Sequence, residues 1–123
     1  MIDHMGVLVR DFDSEASFYE AALSALGYRR GMAKPGVLQL VCDTDSVWIE
    51  QAGPDVSPVP CHIAFTARDA DGVKAFYRAA MSKGGSDNGE PGPRPQYGPG
   101  YYAAFVHDPE GNNIEAVLHD YRA

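Results

Sequence analysis

Asp3-His4-Met5-Gly6-Val7-Leu8-Val9-Arg10-Asp11 is written a second time, 58 residues on, as Cys61-His62-Ile63-Ala64-Phe65-Thr66-Ala67-Arg68-Asp69. Each copy puts a histidine early in a short alternating strand and closes on Arg-Asp. The same offset carries Phe18-Tyr19 onto Phe76-Tyr77, Ala21-Ala22 onto Ala79-Ala80, Ser24 onto Ser82 and Gly27 onto Gly85. With Asp13 on Asp71 as well, ten of the 24 positions from 4 to 27 are identical without a gap, where chance gives roughly one or two, so the chain is an internal duplication. Two histidines therefore stand at equivalent points of two similar modules.

Working outward, each copy predicts the same order of elements. Met5, Val7 and Val9 alternate with His4, Gly6, Leu8 and Arg10, the period of a half-buried strand. Asp11 or Asp13 offers a helix cap, and Phe18-Tyr19, Ala22-Leu23 and Leu26 then recur at helical spacing until Gly27. Tyr28–Met32, Val37–Cys42 and Ser46–Gln51 read as strands divided by turn residues. In the second copy, Val73, Phe76, Tyr77 and Ala80 make an apolar helix stripe ended by Gly84-Gly85. Residues 86–100 read as a long loop with a short irregular strand. Tyr101–His107 and Asn112–Leu118 are strands flanking Asp108-Pro109-Glu110-Gly111. The expectation is an α+β fold: one domain of two tandem βαβββ modules, residues 1–52 and 61–123, joined by a linker at 53–60 that is rich in proline.

Composition narrows the function classes. A chain of 123 residues is long enough for one real core. Its net charge of −7, without a lysine-arginine cluster, disfavours nucleic acid and anionic membranes as partners. No apolar run approaches a membrane span. Two cysteines, Cys42 and Cys61, make no disulfide framework, and the start of the chain does not read as an export signal, so a cytoplasmic location is expected.

The early histidine of each module, the Phe-Tyr pair of each helix and the closing Asp108-Pro109-Glu110-Gly111-Asn112-Asn113-Ile114-Glu115 together resemble the vicinal oxygen chelate superfamily. That family includes glyoxalase I, bleomycin-resistance proteins and extradiol dioxygenases. The resemblance covers the whole chain and implies a sheet curled around a concave metal and substrate site. Carried onto this sequence, the ligand set is His4, Glu50, His62 and Glu115, holding a divalent Zn, Ni, Fe or Mn ion. Strand alternation turns the same four side chains, and Trp48, away from the helix-packed faces. Trp48, Arg94 and Tyr101 are expected to contact substrate.

The implied activity is a glyoxalase-like lyase or isomerase that chelates a small oxygenated substrate, with Glu50 or Glu115 carrying the proton. Two other readings stay open. His4, His62 and Glu115 alone make the two-His-one-carboxylate triad of an extradiol dioxygenase, and Glu50 decides between the two chemistries. A bleomycin-type binding protein would use the same cup without catalysis, which the acidic charge and Trp48, Tyr101 and Tyr102 suit. The resemblance also implies a homodimer. One departure counts against glutathione as the substrate. Leu8 stands where glyoxalase I has an arginine four residues after its first histidine.

Overall fold

The computed structural model describes residues 1–123. Two modules repeat one plan. In the first, β1 (His4–Val9), α1 (Phe12–Ser24), β2 (Arg29–Lys34), β3 (Val37–Cys42) and β4 (Asp45–Gln51) form a sheet ordered β1-β4-β3-β2. In the second, β5 (His62–Thr66), α2 (Ala70–Ser82), β6 (Ser86–Pro93), β7 (Tyr102–His107) and β8 (Asn113–Leu118) form a sheet ordered β5-β8-β7-β6. The first and last strands of each module run parallel, and the other pairings are antiparallel. No strand pairing joins the two sheets. The expected α+β fold of two βαβββ modules is what forms, as two separate mixed sheets. Residues 52–61 connect them without helix or strand.

The repeated Arg-Asp starts both helices. Asp11 accepts a hydrogen bond from Ser14 N at 3.3 Å and Asp69 one from Gly72 N at 2.7 Å, each satisfying an otherwise unpaired amide of a first turn. Beyond α1, Gly27 adopts φ +97°, a left-handed conformation that glycine takes without a side-chain clash. Its repeat mate Gly85 serves a different need. A Cβ there would lie 2.6 Å from Val106 Cγ1, 2.7 Å from the Ala80 carbonyl and 2.9 Å from the Phe18 ring. The bare backbone lets the two modules close on one another.

Alternation puts Val7, Val9, Leu38, Leu40, Val47 and Ile49 against α1, and Phe65, Val106, Ile114 and Ala116 on the equivalent face of the second sheet. Phe18, Tyr19, Ala22 and Leu23 of α1 and Val73, Phe76 and Ala80 of α2 complete one continuous core of 22 buried residues. The helices pack on each other within it. The remaining sheet faces point the other way, carrying His4, Trp48 and Glu50 from one module and His62 and Glu115 from the other.

The stretch expected to be mostly loop contains an eight-residue strand, β6. Its register slips at Asp87/Gly89 and again at Gly89/Gly92. Those bulges absorb the glycines and prolines that hide the strand from a periodicity reading. A single 3-10 turn at Pro95–Tyr97 follows.

Candidate functional site

The second sheet brings a histidine, a carboxylate and a tyrosine together on its outer face. Parallel pairing of β5 with β8 sets His62 opposite Asn113 and Ala64 opposite Glu115, so His62 and Glu115 are same-face diagonal neighbours. His62 Nε2 lies 3.1 Å from Glu115 Oε1, and the Tyr101 hydroxyl donates to Oε2. Glu115 is 2% exposed while His62 is half exposed, so the imidazole reaches solvent and the carboxylate lies beneath it. Partial burial first, and then the hydrogen bond to this carboxylate, push the Tyr101 phenol up to about 12, so it stays a hydrogen-bond donor through neutral pH.

Aromatic packing fixes these groups. The His62 ring stacks on Phe105 with centroids 6.3 Å apart, and Tyr101 meets Tyr97 at 5.4 Å and His119 at 5.2 Å, edge to face. Phe105, Tyr97 and His119 are additions to the sequence-derived site. Phe105 pairs directly with Glu115 and was reachable by counting back across the Asp108–Asn112 turn. Arg94 sits 5.5 Å from the Phe105 ring, and its guanidinium donates to the carbonyls of Glu90, Gly92 and Pro93. That makes it a staple of its own loop, with three of its five N–H donors on loop carbonyls.

The first sheet carries the counterpart group, spread over a longer distance. His4 pairs with Ser46, Gly6 with Trp48 and Leu8 with Glu50. Trp48, not Glu50, therefore occupies the register position that Glu115 holds in the second sheet. Glu50 lies one same-face step further on, four residues along the ladder from His4, or about 13 Å. Both still line one cavity of about 520 Å³, with Asp3, Gly6, Gln39, Ser46 and Trp48. His4 is exposed, and its Nδ1 lies 2.7 Å from Asp3 Oδ1, which leaves Nε2 facing outward.

A divalent ion needs three or four donors. Within one chain the converging donors stop at His62 and Glu115, and no set of three His, Cys, Asp or Glu side chains is drawn together. Of the four expected ligands, His62 and Glu115 of the second module meet within one chain, while His4 and Glu50 stand apart on the first sheet.

The family model for the Glyoxalase/Bleomycin resistance protein/Dioxygenase superfamily matches residues 1–116. The chain belongs to that superfamily. A glyoxalase/bleomycin resistance protein from Albidiferax ferrireducens T118 superposes with a TM-score of 0.80 at 27% identity, covering 95% of this chain and 97% of that one. A glyoxalase/bleomycin resistance protein/dioxygenase family enzyme from Burkholderia phytofirmans PsJN gives 0.73 at 16% identity, over 95% and 97%. Lactoylglutathione lyase from Agrobacterium tumefaciens gives 0.66 at 18%, over 95% and 93%, a likeness of fold alone. No curated protein matches the sequence. For the superfamily member described here, no helix is long and apolar enough to cross a membrane.

Proposed function

We propose that this superfamily member is a glyoxalase-type metalloenzyme acting on a small oxygenated substrate, with Glu115 as its proton carrier. The observation that carries the reading is the buried Glu115 carboxylate held between His62 and the Tyr101 hydroxyl. A carboxylate oriented from two sides, next to a half-exposed imidazole, suits transfer of a proton to or from a carbon beside a carbonyl. Tyr101, kept as a donor, holds Glu115 Oε2 and leaves the Oε1 side facing His62 and the substrate. Trp48 is the apolar wall, and Arg94 acts through the loop it ties.

Completion of the metal centre is assigned to a homodimer, in which His4 and Glu50 from a second copy meet His62 and Glu115. Two observations support this. One chain provides two convergent donors, and Asp3 already orients His4 with its Nε2 free. When bound, the ion supplies Lewis acidity toward a substrate carbonyl, easing loss of the adjacent proton. Titration of Ni²⁺ or Co²⁺ into the metal-free protein tests the reading. Glu115→Gln and His4→Ala are each expected to weaken binding at least ~10-fold. Unchanged affinity in either variant removes the centre.

The extradiol-type reading has its own support in Trp48. With an indole where a fourth carboxylate would be equivalent to Glu115, a His4–His62–Glu115 triad leaves more positions open. Glu50→Gln separates the two. A loss of metal affinity favours the four-ligand isomerase or lyase, and an unchanged affinity favours the three-ligand oxygenase.

A further inference from the structure

We infer that Glu15 holds a proton shared with Asp108, and that this neutral carboxyl is an alkali-sensitive latch between the two modules. Glu15 lies on the first turn of α1 with its side chain fully buried, and no donor reaches either carboxyl oxygen. One helical turn along α1 from Glu15, Tyr19 donates its hydroxyl to another carboxyl, Asp108, on the turn between β7 and β8, and this brings Asp108 beside Glu15. Two acidic side chains facing each other in a buried site can satisfy one another only if a proton lies between them.

Asp108 cannot be the one left without partners. Its Oδ2 accepts from the Tyr19 hydroxyl at 2.5 Å and Asn112 Nδ2 at 2.7 Å, and its Oδ1 accepts from the amides of Glu110 and Asn112 at 2.9 Å each. Asp108 is therefore fitted out as the acceptor, and Glu15 is the member that must donate.

The pair sits on the seam. Glu110, from the same turn, accepts from the amides of Arg10 and Asp11 at 2.7–2.9 Å, just ahead of α1. The charged and titratable groups that act on Glu15 are Asp108 and Glu110 from the β7–β8 turn and Asp11 from the segment before α1. Tyr19 on α1 and Cys61 ahead of β5 join through Asp108. No lysine or arginine is among the groups that act on Glu15. The Arg10 guanidinium turns instead to the Pro58 carbonyl at 3.1 Å. Burial first, then these anions, raise the Glu15 carboxyl from 4.5 to about 9.

The sign follows from proton counting. Between pH 4.5 and about 9 the folded chain keeps a proton that the unfolded chain has released, so stability falls as pH rises through that window. Glu15→Gln keeps the shape, supplies an N–H donor to Asp108 and removes the titration.

Urea unfolding of the wild type and Glu15→Gln across this range tests the latch. The unfolding constant of the wild type should climb by roughly tenfold per pH unit relative to the variant. Subtilisin should also cut the linker of the wild type near Val56 and Val59 faster than that of the variant above pH 9. Parallel pH profiles, or equal cleavage, would overturn the inference. A chelator that lowers the stability of the wild type but not that of Glu15→Gln would overturn it too, because a cation rather than a proton would then be neutralising Glu15. Should Glu15→Gln not fold, the wild type still decides the matter by infrared spectroscopy. A protonated-acid carbonyl band must persist at pH 7 and fade as pH passes about 9, and its absence at pH 7 sinks the proposal.

Discussion

Tyr19 and Tyr77 are repeat mates with unlike duties, and the contrast is measurable. The Tyr19 ring is buried and its hydroxyl serves Asp108, whereas the Tyr77 hydroxyl meets Asp87 at 3.1 Å in an exposed setting. Tyr19→Phe leaves a buried acceptor with one donor fewer and should cost about 1–3 kcal/mol in denaturant unfolding. Tyr77→Phe should stay within about 0.5 kcal/mol. A similar cost for both would mean that the Asp108 network is not under strain from the loss. Tyr101→Phe tests the candidate site in the same way. It frees Glu115 Oε2 from its one hydroxyl partner and should weaken metal affinity with little change in metal preference, read by titration with Ni²⁺ and Zn²⁺.

Helix starts and one tight crossing carry the element scale. Asp69→Ala removes the bond to Gly72 N and should cost about 1 kcal/mol of stability, seen as a lowered Tm. Gly85→Ala should cost more, about 1–3 kcal/mol or beyond, because two of the contacts a methyl would meet are a packed Val106 and the Ala80 backbone. A Gly85→Ala protein as stable as the wild type would mean that the module crossing has slack there. These elements were largely readable in advance. The Arg-Asp repeats set both caps, and the apolar stripes set both buried helix faces. Of the two caps the sequence offers, Asp11 is the one used, so α1 begins at Phe12. The strand β6 was hidden by its two register slips, because a bulge breaks the period-two alternation that marks a strand.

At the scale of the whole molecule, each chain pairs its two modules through helices and the Asp108 turn while leaving both histidine-bearing sheet faces outward. A centre shared between copies makes metal binding depend on protein concentration, so dilution below the dimer dissociation range should lower metal affinity in parallel with the loss of dimer. Concentration-independent binding by a monomer would count against His4 as a shared donor. The sequence by itself determined the duplicated βαβββ plan, the two capped helices and which strand faces are apolar, because each rests on residues near one another in the chain. Only the tertiary structure decided that Trp48 takes the place in the first sheet that Glu115 takes in the second, that Tyr101 holds Glu115, and that Glu15 lies beside Asp108. The matched first strands lie 58 residues apart, but His4's partner Ser46 and His62's partner Asn113 lie 67 apart. Strand register depends on how each loop closes, and the repeat does not carry that offset from one module to the other.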